Sequence, residues 1–229
     1  MFERDVALGV DASQKEITST INNMFKEHWK RGYSYNKRKP QSMRSKHIPA
    51  LMRQPQFAHY ASYMQIMANS MHQYSFSRHH DDVKKELTHW DSEGGYCIYM
   101  SVLLYGLLTR DKVISTEDIS FYQGYYDFPL REDMPSFFPF PKRQLGIHAW
   151  LTVAGSVVDV TANQNMQFFD FKFNKLDIIL SEYPKEYKLV GFKETEETIN
   201  SYLEFFSGFL GLTIEEWIEF HKRESSKFM

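Results

Sequence analysis

Only one cysteine, Cys97, stands in the 229 residues of this chain. No internal disulfide can form, and a reducing, intracellular setting is expected. No apolar run approaches the roughly 18 residues that a membrane helix needs. The opening MFERDVALGV carries Glu3, Arg4 and Asp5 and has no apolar stretch behind a basic segment, so it does not read as a secretory signal. An excess of charge of one sign is also missing. The formal net charge is −2, which gives no reason to expect nucleic acid or an anionic membrane as a partner. The chain has no Gly-rich phosphate loop, no HExxH pair and no GxSxG elbow. No metal or cofactor is expected, and the expected location is the cytoplasm.

Aromatic residues are plentiful: 19 Phe, 14 Tyr and 4 Trp. Core packing is their ordinary use, with grooves as the alternative. Residues 13–32 read as a helix, with Ile17, Ile21, Met24, Phe25 and Trp29 at helical spacing and Ser13 to Glu16 as a capping box. A diffuse basic connection follows over 33–55. Residues 56–75 predict a second helix whose Phe57, Tyr60, Met64, Met67 and Met71 share one face. The SRHHDD stretch at 77–82 reads as a solvated loop or helix start, leading into a short polar helix over 81–90. Adjacent histidines on a regular element point apart, so this is a weak metal signal.

From Tyr96 to Leu108 the chain is almost wholly apolar, which predicts a central buried helix with Cys97 in its first turn. Then the period changes. ISFYQGYYDF at 119–128 suggests a strand. PLREDMPSFFPFPKR at 129–143 carries four prolines and is neither helix nor central strand. Two strands, 146–154 and 156–160, flank Gly155 as a hairpin with a tight turn, and YKLVGF at 187–192 offers another strand. Thr195 opens a helix that closes between Gly208 and Gly211, and Thr213 to Glu216 forms a capping box before the last one. The order helices, strands, helices predicts an α+β fold. We read one domain over 1–229: an N-terminal helical part at 1–92, a core at 93–192 and C-terminal helices at 193–229.

Three residues in this order could carry chemistry. A cysteine in the first turn of a helix has its thiolate favoured by unpaired N–H groups and the helix dipole. The same N–H groups could bind an oxyanion. His148, on a strand packed against that helix, could act as base and cationic partner, and Asp159 could orient its ring. A hairpin centred on Gly155 pairs residues whose numbers sum to about 310. It places His148 opposite Ala162 and Asp159 opposite Leu151, three positions out of line, so that a bulge or strand twist must close the gap. Asn163 and Gln164 are the next candidates to orient the histidine.

Gly95-Tyr96-Cys97 at a helix start, then His148, Trp150 and Val153 on a strand, then Asp159 and Thr161, resembles the transglutaminase-like cysteine enzymes of the papain-like class. Ile98 and Val160 depart from the residues frequent there. The resemblance covers roughly residues 93–162. It implies a core in which a nucleophile-bearing helix packs on an antiparallel sheet, with extra helices at both ends. It also implies Cys97 as nucleophile, His148 as base and Asp159 as orienting carboxylate. The reaction implied is attack on an amide carbonyl through a thioester, with water as acceptor (peptidase or amidase) or an amine (transglutaminase or acyltransferase). A catalytically inactive binding module of the same fold is the non-enzyme alternative. The expected partner is a peptide or protein substrate. Trp150, Phe137, Phe138 and Trp90 are the candidate substrate-binding residues. The loop carrying Phe137 and Phe138 is expected to cover or line the groove at Cys97. Trp90 and Gln73 are the candidate side-chain oxyanion donors.

Overall fold

A computed structural model describes residues 50–70, 74–92, 95–129, 143–161 and 188–228. Contacts divide the chain between Gln41 and Ser42, and every described residue lies on the Ser42–Met229 side. The helix expected at 13–32, most of the basic connection, and Phe137 and Phe138 lie outside the described residues. The fold is mixed. Among the described residues there are five α-helices and one antiparallel sheet of four strands.

The helices are α1 (Pro55–Ser70), α2 (Asp81–Ser92), α3 (Tyr96–Arg110), α4 (Glu196–Phe209) and α5 (Ile214–Ser225). Helix α1 starts on a proline, whose missing N–H is no loss in a first turn. It buries Phe57, Tyr60, Met64 and Met67, the expected face; residues 71–73 of the expected helix lie outside the described residues. Helix α2 is more amphipathic than its polar composition suggests. Val83, Glu86, Leu87 and Trp90 recur at helical spacing and are buried. Its start is capped by His80, whose Nδ1 accepts from the Asp82 amide at 3.2 Å. The expectation of a solvated SRHHDD stretch therefore holds for His80 and fails for His79. His79 is buried, its ring 4.7 Å from that of Phe228.

Helix α3 is the centre of the core. Everything from Tyr99 to Leu108 is buried, and the other four helices and strands β1 and β2 all pack on it. The C-terminal signals act as expected. Thr195 caps α4, and α4 closes with bonds from Leu212 N–H to Ser207 O (3.1 Å) and from Gly211 N–H to Gly208 O (3.0 Å). Thr213 and Glu216 form both halves of a capping box on α5. A buried polar network ties α5 to the other helices. Glu86 accepts from Trp217 Nε1 at 2.7 Å, and Tyr63 Oη meets His221 Nδ1 at 3.0 Å. His221 Nε2 lies 3.1 Å from the second Glu86 oxygen, close enough to pair but off the direction of a hydrogen bond.

The strands are β1 (Ile119–Pro129), β2 (Arg143–Val153), β3 (Ser156–Val158) and β4 (Lys188–Lys193), in sheet order β3-β2-β1-β4. Pro129 and Arg143, expected in the proline-rich connection, are instead the paired ends of β1 and β2. The β2–β3 hairpin closes in two residues, with Val153 opposite Ser156. Ala154 and Gly155 both have positive φ, 47° and 80°, as a type I′ turn requires. Strand β3 ends at Val158, two residues short of the expected limit.

Glycine at position 155 suits this turn, whereas alanine at 154 is held in a left-handed conformation that costs about 1 kcal/mol. Ala154→Asn should raise stability by up to about 1 kcal/mol, since asparagine tolerates that conformation. Thermal denaturation of the two proteins checks it. An unchanged or lowered melting temperature would count against the turn described.

Candidate active site

The hairpin register decides whether His148 and Asp159 can meet. Pairs observed in β2–β3 sum to 309, not 310. One residue of register exchanges the two faces of a strand. With 309, the Asp159 position falls opposite Trp150, two residues from His148 and on the same face. That is a diagonal cross-strand pair, within reach of long and aromatic side chains. No bulge is needed. The chain leaves the ladder after Val158, and the Asp159 carboxylate reaches back to the ring.

The result is a hydrogen bond of 2.7 Å between His148 Nε2 and Asp159 Oδ2. Both residues are 1% exposed. The other carboxylate oxygen is held by Thr161, from its backbone N–H at 3.2 Å and its hydroxyl at 3.4 Å. This is an Asx-type turn, and it fixes the carboxylate against rotation. Thr161 was noticed in the sequence only as a companion of Asp159; here it positions it.

Cys97 occupies the first turn of α3, behind the N-cap Gly95, and is partly exposed. Its sulfur acts on the His148 ring and favours the charged form. With Nε2 engaged by Asp159, the nitrogen that can turn towards sulfur is Nδ1. Burial is the largest influence on the His148 ring and opposes its charge. The Asp159 carboxylate and the Cys97 sulfur outweigh burial and raise its ionisation from 6.5 to about 10. The ring is therefore an imidazolium at neutral pH, donating from both nitrogens.

Trp150 is wholly buried and lies along the His148 ring, with centroids 6.0 Å apart and planes at 24°. Tyr122, its cross-strand neighbour, stacks on the indole at 5.9 Å. Space for the indole comes from Gly191 on β4. A Cβ at that position would stand 2.5 Å from Trp150 Cη2 and 2.5 Å from the Gln123 carbonyl oxygen. Trp90 is also buried. It packs against Gly95 just before the cysteine and in a cluster with Tyr99, Phe205, Phe206 and Phe209. Neither tryptophan offers its ring broadly to solvent. The structure thus brings together Cys97, His148, Asp159 and Trp150, and seats Trp90 under the turn that precedes Cys97. Phe137, Phe138, Gln73, Asn163 and Gln164 lie outside the described residues.

Two further side chains, not singled out in the sequence, join the sheet to α4. Gln123 pairs with Ala149, next to the Gly124–His148 rung, and its carboxamide bonds Tyr202 on α4. Their signal was weak, because a glutamine in a strand and a tyrosine in a helix carry no spacing pattern of their own. Among the described residues no three His, Cys, Asp or Glu side chains gather as a metal site, and no helix is long and apolar enough to cross a membrane. Searches of family models, curated proteins and solved structures find no match to this chain.

Removing the Asp159 charge should release the burial effect on His148. In Asp159→Asn the ring should titrate far below the wild-type midpoint near 10, followed by histidine ring NMR with His148→Ala to assign the signal. The sign for stability follows. The pair contributes fully below pH 6.5 and is lost as pH rises through about 10. A wild-type ring that titrates at 6.5 or lower would contradict the buried pair.

Proposed function

We propose that this chain is a cysteine-dependent peptidase or amidase of the transglutaminase-like, papain-like class, acting in the cytoplasm on a peptide or protein substrate. The observation that carries the reading is the buried His148–Asp159 bond of 2.7 Å, with the Cys97 sulfur at the start of α3 acting on the same ring. The buried His221–Glu86 pair meets only a phenol at its other nitrogen, whereas His148 is acted on by a partly exposed sulfur. A cysteine at a helix start, a histidine on a strand and an aspartate bonded to it are the arrangement of nucleophile, base and orienting group.

The steps follow from this arrangement. Cys97 sulfur, as thiolate, attacks the amide carbonyl carbon, and the carbonyl oxygen becomes an oxyanion. The C–N bond breaks as the His148 imidazolium gives its Nδ1 proton to the leaving amine. The acyl group is then held as a thioester. The neutral ring takes a proton from water, which attacks the thioester, and the carboxylic acid leaves with the thiolate and imidazolium restored. Asp159 stays ionised throughout and holds the ring in place.

Transfer to an amine uses the same triad, so the acceptor is set by the groove. Mass spectrometry after reaction with an activated aryl ester should show one acyl group on Cys97, absent from Cys97→Ala. Added amine should leave free acid as the main product. An amide as main product would replace hydrolysis by acyl transfer. No acyl adduct and no turnover would reduce the chain to a binding module.

A further inference from the structure

Ser101 interrupts the apolar run of α3 and is 0% exposed. A serine inside a helix commonly turns its hydroxyl back to the carbonyl one turn earlier, which here is that of Cys97. Ser101 bonds elsewhere. Its hydroxyl donates out of the helix, to the Ala149 carbonyl oxygen at 3.1 Å. Residues four apart lie on one face of a helix, so Cys97 and Ser101 share a face. The bond therefore joins the turn that follows Cys97 to the residue next to His148, across 48 positions of sequence.

The course of β3 explains why this carbonyl needs a partner. Val153 and Ser156 close the hairpin across two turn residues. In that pairing the backbone groups of Val153, Leu151 and Ala149 point towards β3, and those of His148 and Trp150 point towards β1. The β2–β3 ladder ends at the Leu151–Val158 pair. Beyond it the chain turns so that Asp159 can reach His148. Among the described residues, Ala149 thus has no strand partner on that side. It is wholly buried, and its carbonyl would be left without a donor. Ser101 stands in for the missing strand, from a helix that packs on β2. The early end of β3 therefore has two effects. It frees Asp159 for the histidine ring, and it opens the neighbouring carbonyl to the helix that carries the thiol.

We propose that Ser101 is a positioning residue, whose bond to Ala149 sets the spacing between the helix start that carries Cys97 and the strand that carries His148. This rests on the cysteine-enzyme reading above, and the two can be told apart. The rate at which iodoacetamide alkylates Cys97, the only thiol in the chain, is followed against pH in the wild type, in Ser101→Ala and in Tyr60→Phe. The last variant loses the 2.6 Å bond to Asp111 at the far end of α3 and controls for general loosening of that helix. Ser101→Ala should move the midpoint of the profile by about one pH unit towards that of an ordinary thiol. It should also slow acylation by an activated aryl ester about 10-fold. Tyr60→Phe should keep the wild-type profile although its melting temperature falls. Ser101→Thr and Ser101→Val have the same shape and differ in the hydroxyl, so threonine should keep the wild-type midpoint and valine should lose it. A Ser101→Ala profile equal to that of the wild type overturns the proposal and leaves the thiol reading intact. So does an equal shift in Tyr60→Phe, or a threonine variant that behaves as the valine one. A wild-type Cys97 inert to iodoacetamide removes the cysteine-enzyme reading itself, and the proposal falls with it.

Discussion

The hydrogen bond between His148 and Asp159 is the constraint from which the rest of the site follows. Two ionisable groups, each 1% exposed, can be held away from water only if they satisfy one another. Removing one partner of such a buried pair typically costs about 3–5 kcal/mol, because the other is left charged and alone. Its geometry in turn requires a hairpin of two turn residues, a strand β3 that ends at Val158, and Thr161 to hold the second carboxylate oxygen. It also requires the bare backbone at Gly191, because a side chain there would displace the indole that lies along the histidine ring.

A second histidine–carboxylate pair shows what such chemistry does without a thiol. His221 and Glu86 are completely buried between α5 and α2, with Trp217 and Tyr63 supplying the remaining contacts. The pair fixes the last helix against the others. The same residue types near Cys97 have a partly exposed sulfur within reach, and there the imidazolium has something to act on. The two pairs differ in their surroundings: a phenol at the second ring nitrogen of His221, and a partly exposed sulfur acting on His148.

Much of this was legible in the sequence where local signals are strong. The apolar run from Tyr96 gave the buried helix, and the Thr195 and Thr213 caps gave the starts of α4 and α5. Residues 119–128 and the break at Gly155 gave the strands. Other features were set by partners distant in sequence. The fate of His79 depends on Phe228, some 150 residues away in the chain. The register of the hairpin was one residue off. Because one residue exchanges the faces of a strand, that small difference decided whether Asp159 and His148 could meet directly. The Gln123–Tyr202 pair was illegible, since neither residue belongs to a periodic pattern and their contact spans 79 positions.

The central claim is that the thiol of Cys97 is activated by an imidazolium oriented by Asp159. The most direct measurement is the pH dependence of the rate at which iodoacetamide alkylates this single cysteine in the folded protein. An activated thiol predicts rapid alkylation already at about pH 6 to 7, with the rate falling sharply in His148→Ala. A rate that climbs only toward alkaline pH, or that appears only when the protein is unfolded, would contradict the claim and make Cys97 a packing residue.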